Sequence, residues 1–287
     1  MAKSKPLRGR MTRTYVDGAW HDGSPPVLAP DSQAMWLSSI VFDGARAMGG
    51  HVPDLDRHCR RLNRSAEILN LKPTMTAEEI EALARDGIEA FPAGADLYIC
   101  PMYYAEDGFI TPVAESTKFV MSIYEAPLPP ATGFAACLSS FRRPARDQAP
   151  TEAKASCLYP NVARAVQEAR DNGFDTAVVL DPSGNVAEFA YTNLFFSTGG
   201  KLVTPAPNGT FLNGITRQRV IQLLRADGSE VEERTVDYAE LAEADELFST
   251  ANYSKIMPCI RLDDRELTPG PLFERARALY MDYAESC

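Results

Sequence analysis

The sequence predicts an α+β fold in two regions, and three observations carry that expectation. Segments that read as strands return on themselves through short turns, as YVDGAWHDG does at 15–23. The strand-rich second half shows returning hairpins and not the regular strand–helix alternation of a doubly wound sheet. A proline-rich stretch without periodicity, PLPPATG at 127–133, separates the halves. A small α/β region at 1–126 and a larger strand-rich region at 134–287 are therefore expected.

The elements follow in order. Asp17-Gly18 joins two short strands, because this dipeptide supplies the backbone angles of a tight hairpin turn. Pro53-Asp54 opens a helix with Leu55, Cys59, Leu62, Ala66 and Leu69 on one face. Thr76 with Glu79 forms a capping box that starts a second helix running to Phe91. ADLYICPMYY then alternates as a strand, with Leu97 and Ile99 on one side.

After 127–133, FAACLSSF reads as a strand, and a helix begins with Pro160 in its first turn and ends before Gly173. DTAVVLD is a strand, Pro182 to Asn185 a turn, and VAEFAYTNLFFS a return strand. Gly199-Gly200 turns the chain into KLVTP. Gly214 opens a helix with Val220, Leu223 and Leu224 on one face, closed by Gly228. ELFSTA forms a late strand, and GPLFERARALYMDYA a terminal helix.

Composition narrows the function. With 45% hydrophobic and 24% charged residues, the 287-residue chain has the balance of a soluble globular protein. A net charge of −10 argues against broad nucleic-acid or membrane-surface binding. The N-terminal MAKSKPLRGRMTRTY is basic but lacks the apolar core of a signal peptide. Six scattered cysteines, at 59, 100, 137, 157, 259 and 287, fit reduced thiols in the cytoplasm better than disulfides or a zinc site. Three histidines, none at metal-ligand spacing, leave neither a metal centre nor a His-based triad to expect.

One lysine stands out. In PTEAKAS, at 150–156, Lys154 is flanked by Ala153, Ala155 and Ser156, which leave room for a large planar group on its nitrogen. A pyridoxal phosphate site needs such a lysine to form an imine with the cofactor aldehyde and to carry a proton. It also needs an acid at the pyridine nitrogen, a phenol near the ring oxygen, and a helix N-terminus with an arginine for the phosphate. The chain offers Lys154, Tyr159, Glu188, Ile215 with Thr216, and Arg61.

The runs SSFRRPARDQAPTEAKASCLYPN, NVAEFAYTNLFF, NGTFLNGITRQRV and ADELFSTANYSKIMP, with SSIVFDGARAM and DRHCRRLNRSAEIL upstream, resemble the branched-chain aminotransferase group of fold-type IV pyridoxal phosphate enzymes. The resemblance implies that Lys154 is the Schiff-base lysine, Tyr159 the phenol, Glu188 the acid, and Arg61 the phosphate arginine. It implies that Ile215 and Thr216 form the phosphate cradle, and it places Asn193 and Asn252 with the cofactor residues. Phe42, Tyr98, Cys100 and Tyr253 fall at substrate positions.

Three departures lie on the substrate side. The loop after Glu188 is Phe189-Ala190-Tyr191-Thr192 where the family is glycine-rich, and Asn252-Tyr253 replaces the family's Thr-Ala turn. Cys100 stands in Tyr98-Ile99-Cys100-Pro101 where branched-chain enzymes often carry arginine. The resemblance implies a transaminase for an apolar amino acid, branched-chain residues leading, with a 2-oxo acid acceptor and a homodimer or larger assembly. An amine or D-amino acid transaminase of the same fold, and an aminodeoxychorismate lyase-type enzyme, are the alternatives.

Overall fold

The computed structural model describes residues 10–287; most of the basic N-terminal stretch lies outside them. Helices and strands are mixed without regular alternation, and the fold is α+β. Two compact units form: one of described residues up to Leu128 with Ala153–Cys157 and Ala284–Cys287, the other of Pro129–Glu152 and Leu158–Tyr283.

In the first unit, β1 (Thr12–Val16) and β2 (Ala19–Asp22) make the expected hairpin, with φ of 51° at Asp17 and 81° at Gly18. A short helix α1 (Gln33–Leu37), which sequence reading did not anticipate, precedes β3 (Ile40–Phe42) and β4 (Ala45–Ala47). Then come α2 (Leu55–Ile68), α3 (Ala77–Glu89), β5 (Leu97–Ala105) and β6 (Thr117–Glu125). The sheet is antiparallel in the order β2-β1-β6-β5-β3, with β4 also on β5.

Leu55, Cys59, Leu62 and Ala66 of α2 are all buried, and Leu69 packs at the margin, as the apolar spacing requires. The Thr76 capping box is present with both of its bonds. Helix α3 stops at Glu89 and not at Phe91, because Pro92 disfavours helical backbone before it and Phe91 turns into the core. Pro101 is tolerated inside β5 because it falls between the last β3 pair, Phe42 with Met102, and the first β4 pair, Ala45 with Ile99.

The second unit opens with β7 (Phe134–Arg142), α4 (Tyr159–Asp171) and β8 (Thr176–Leu180). It continues through β9 (Val186–Phe189), β10 (Asn193–Thr198), β11 (Lys201–Pro205), α5 (Ile215–Ala226), β12 (Val231–Arg234) and α6 (Tyr238–Ala242). It ends in β13 (Glu246–Ala251), β14 (Lys255–Leu262), β15 (Arg265–Glu266) and α7 (Pro271–Glu285). The nine-stranded mixed sheet runs β12-β11-β10-β13-β14-β7-β8-β9, with β15 on β14.

VAEFAYTNLFFS is not one return strand. Phe189 N donates to the Thr192 carbonyl, so the chain turns at 190–192 and leaves β9 on β8 while β10 pairs with β11 and β13. That turn brings Asn193 back beside Glu188, with consequences for the site. On α5 it is Ile221, not Leu223, that is buried with Val220 and Leu224.

Candidate active site

In the first unit, the lysine segment is sewn to β3. Phe42 N donates to the Lys154 carbonyl at 3.0 Å, Val41 bridges to Ala155, and Lys154 N donates to Ser65 Oγ of α2 at 3.1 Å. Ala153 and Ala155 are buried in the α2 core, which is the packing role of the small neighbours. They fix the backbone and leave the Lys154 side chain half-buried, its Nζ 4.7 Å from the Phe42 ring centroid.

Strand alternation puts Tyr98, Cys100 and Met102 on the β5 face opposite Leu97, Ile99 and Tyr103, and Phe42 pairs with Met102. Burial pushes the Cys100 thiol up to about 12; the Lys154 charge opposes that shift and the Asp43 charge adds to it. Cys100 is therefore a neutral thiol near the lysine. An added Cβ at Gly44 would sit 2.0 Å from the Tyr98 hydroxyl, so only glycine allows that ring its place.

Arg61 is held by an acid that sequence reading passed over. Its Nε and Nη2 donate to Asp43 Oδ2 and Oδ1 at 2.6 and 2.8 Å, and His58 Nδ1 lies 2.6 Å from Asp43 Oδ1. Burial raises the Asp43 carboxyl, but the Arg61 and His58 charges and hydrogen bonds outweigh it and hold the group well below the usual carboxylate range. Removing one partner of a buried ion pair costs about 3–5 kcal/mol, so Asp43 is a strong orienting group for the guanidinium. The spacing of His58 three residues before Arg61 puts both on one helix face, but nothing local in the sequence ties Asp43 to them.

In the second unit, Glu188 and Asn193 are buried together, and Asn193 Nδ2 donates to Glu188 Oε2 at 3.1 Å and to the Leu212 carbonyl at 3.0 Å. Asn193 Oδ1 accepts from Gly214 N at 3.0 Å. A Cβ on Gly214 would lie 2.2 Å from that oxygen, so the position admits only glycine. Arg143 Nε lies 3.4 Å from Glu188 Oε1 and donates to the Thr210 carbonyl at 3.0 Å. The acid and the start of α5 are thus one hydrogen-bonded assembly, with Arg143 an unanticipated member.

Ile215 and Thr216 begin α5, both buried, behind a glycine cap that brings no side chain to the helix N–H groups. Thr250 stands opposite Asn193 across the β10–β13 ladder. Its buried Oγ1 has no hydrogen-bond partner among the described residues, and neither does Asn252 Nδ2. Tyr159, the first residue of α4, and Tyr253, in the turn after β13, are exposed. Lys154, Arg61, Phe42, Tyr98 and Cys100 thus lie in the first unit, and Tyr159, Glu188, Asn193, Ile215, Thr216, Asn252 and Tyr253 in the second. No group of acids, histidines and cysteines with metal-binding geometry occurs among the described residues.

Residues 40–262 match the family described as amino-transferase class IV. The chain belongs to that family. Its relatives agree with this: the class IV aminotransferase is 31% identical over 258 residues to a probable branched-chain-amino-acid aminotransferase of Aquifex aeolicus, covering 85% of this chain and 83% of that one. It is 30% identical over 263 residues to the branched-chain-amino-acid aminotransferase of Escherichia coli K12, covering 88% and 84%.

Among solved structures, the class IV aminotransferase resembles an aminotransferase from Brucella abortus bound to the cofactor PLP, at 50% identity and a TM-score of 0.95, over 96% of this chain and 100% of that one. It also resembles a branched-chain aminotransferase of Thermoproteus uzoniensis crystallised with norvaline, at 31% identity and a TM-score of 0.88, over 96% of each. The donor set fits a pyridoxal phosphate. A buried helix start with no side-chain cap and two unanswered buried polar atoms suit a phosphate, and Glu188 suits a protonated ring nitrogen.

Proposed function

We propose that this class IV aminotransferase is a pyridoxal-phosphate-dependent transaminase that takes apolar amino acids, branched-chain ones foremost, and disfavours glutamate. The observation that carries the substrate reading is the face around Lys154, made of Phe42, Cys100, Met102 and Tyr98. It presents aromatic, thioether and neutral thiol groups and no cation in the place of the family arginine.

When bound, pyridoxal phosphate supplies an aldehyde that condenses with amines and a ring that accepts the electron pair released at the substrate Cα. Lys154 would hold the cofactor and move the proton at Cα. Glu188, which accepts from Asn193 Nδ2 and is ion-paired with Arg143, would be the acid for the ring nitrogen. Ile215 and Thr216 would hold the phosphate at the start of α5, and the resemblance gives Arg61, aimed by Asp43, the same role. Tyr159 orients the ring through its oxygen, and Asn252 binds an anionic oxygen. Phe42, Tyr98 and Cys100 of the first unit would contact the substrate, and the resemblance gives Tyr253 of the second unit a substrate role as well.

Three other arginines make contacts of their own. Arg46 is fully buried and donates to the Ala126 carbonyl, Arg142 donates to the Pro182 carbonyl at 3.0 Å, and Arg143 serves Glu188 and Thr210. An unpaired carboxylate in such a pocket costs about 3–5 kcal/mol. That corresponds to roughly 10²–10³-fold in affinity or rate.

The test mixes purified enzyme with single amino donors (L-amino acids, D-amino acids and amines) and follows the absorbance of the bound cofactor. Glutamate is expected to react roughly 10²-fold more slowly than leucine or alanine, and Cys100→Arg to improve glutamate alone. Glutamate reacting as fast as apolar donors in the unmodified enzyme would remove Cys100 as the discriminator. Turnover without a 2-oxo acid acceptor would favour the lyase class.

We infer also that the enzyme is a homodimer. Trp36 of α1 is 73% exposed and Phe109, in the loop after β5, 77%, with Met35 and Ile110 exposed beside them in sequence; exposed apolar groups of this size usually mark an interface. Light scattering at micromolar concentration is expected to give twice the chain mass of 31.5 kDa, and a monomer would contradict the assignment. Residues 127–133 are proposed as the linker between a small domain at 1–126 and a cofactor-binding domain at 134–287; no helix or strand forms between Glu125 and Phe134. Six cysteines, none in a disulfide among the described residues, suit a reducing compartment, which supports the cytoplasm.

A further inference from the structure

The first residue of β14 is a lysine with 1% of its surface exposed. Lys255 has φ of 57°, in the left-handed region where glycine is at ease and a side chain is strained. Strain of this kind persists where the surroundings over-determine it and is concentrated at functional sites. A buried ammonium also needs partners. Its Nζ lies 2.7 Å from Asn252 Oδ1 and 5.4 Å from the centroid of the Tyr280 ring.

An ammonium carries donors only, so the oxygen is the amide atom that must face it. Asn252 therefore cannot turn its amide over, and Nδ2 is the atom presented away from Lys255. That Nδ2 is buried and has no partner among the described residues. Two residues back, the Thr250 hydroxyl is in the same condition, on a residue directly opposite Asn193. Two polar groups at the end of one strand are thus left for a bound molecule to answer.

We propose that Lys255 is a positioning residue that locks the Asn252 amide with Nδ2 outward, as a donor to an anionic oxygen of the bound molecule. The oxygen belongs either to the carboxylate of the amino donor or to the phosphate of the cofactor; both present the same acceptor. The inference rests on the role given to Asn252 above. The family's usual threonine needs no such lock, because a hydroxyl turns to suit its acceptor. An amide has a wrong way round, and the lysine removes it.

The test uses Lys255→Met, which keeps the long apolar stem, and Lys255→Gln, which keeps a donor. Pyridoxal phosphate and unphosphorylated pyridoxal are titrated into each apoenzyme. The holoenzymes are then compared on an amino acid and on the matching primary amine without a carboxylate. A charge-assisted contact of this kind is worth about tenfold. If the oxygen is the donor's carboxylate, Lys255→Met lowers kcat/KM for the amino acid about tenfold and leaves the amine unchanged. If it is the phosphate, affinity for pyridoxal phosphate falls about tenfold while that for pyridoxal holds. In either case Lys255→Gln recovers most of the loss. In an Asn252→Thr background, Lys255→Met adds less than about twofold.

Equal losses for the amino acid and the amine, with both cofactor affinities unchanged or both lowered, overturn the proposal. So does the same loss from Lys255→Met in the Asn252→Thr background, since both results mark a purely structural lysine. Should the unmodified enzyme turn over no amino donor, the function proposed above fails, and the paired cofactor titrations still decide the role of Lys255.

Discussion

Replacing Lys154 with alanine is expected to lower transamination about 10⁴-fold, the upper end of what a positioned acid–base group contributes. The expectation rests on two properties of the segment. Its backbone is fixed by bonds to Phe42 and Ser65, so the truncated side chain leaves the fold undisturbed. Among the described residues no other lysine combines small neighbours with comparable surroundings: Lys201 is exposed and paired with Glu230 and Glu232, and Lys255 is bound to Asn252. Lys154→Arg is expected to fail as fully, because a guanidinium does not give up its proton at working pH and cannot act as a base. Single-turnover rates with leucine, measured beside circular dichroism to confirm folding, check both variants. Residual turnover within tenfold of the unmodified enzyme would contradict the assignment.

Glu188→Gln is expected to retain the cofactor and lose about 10²-fold in kcat, the typical effect of removing a preorganised charge at a developing charge. An amide cannot neutralise a protonated ring nitrogen. The assembly around it should survive, because Arg143 still bonds the Thr210 carbonyl and Asn193 still bonds Leu212 and Gly214. Cofactor affinity, set largely by the phosphate, should therefore change little while the rate falls. The spectrum of the bound cofactor together with steady-state kinetics separates the two effects. An unchanged kcat would show that the carboxylate has no electronic part in the reaction.

Local chemistry explains what could be read from sequence. Asp17-Gly18 and Gly199-Gly200 force tight turns wherever they occur, and Thr76 with Glu79 satisfies its own helix end, so these elements do not depend on distant partners. Strand β6 was missed because TKFVMSIYE alternates poorly and takes its form from pairing with β1 and β5. The break at 190–192 escaped for a related reason: VAEFAYTNLFFS is apolar throughout, and only the separate partners of β9 and β10 divide it.

The same distinction runs through the candidate site. The small neighbours of Lys154 could be read from sequence because they adjoin it in the chain, and Ala153 and Ala155 are both buried. Asp43 could not be, since it acts on Arg61 from 18 positions away, nor could Arg143, whose carboxylate partner lies on another strand. Asn193 was placed among the cofactor residues, but its bridge from Glu188 to Gly214 exists only because the chain turns back at 190–192. Nothing in STANYSKIMP announces that Lys255 is buried.

The central claim is that Lys154 carries the cofactor, and one measurement tests it directly. The enzyme loaded with pyridoxal phosphate is reduced with borohydride, digested, and its peptides mapped by mass spectrometry. The expected result is a single pyridoxyl adduct on the peptide containing PTEAKAS, at Lys154, and none in Lys154→Ala. An adduct on Lys201 or Lys255, or no adduct on a protein that still turns over amino acids, would contradict it.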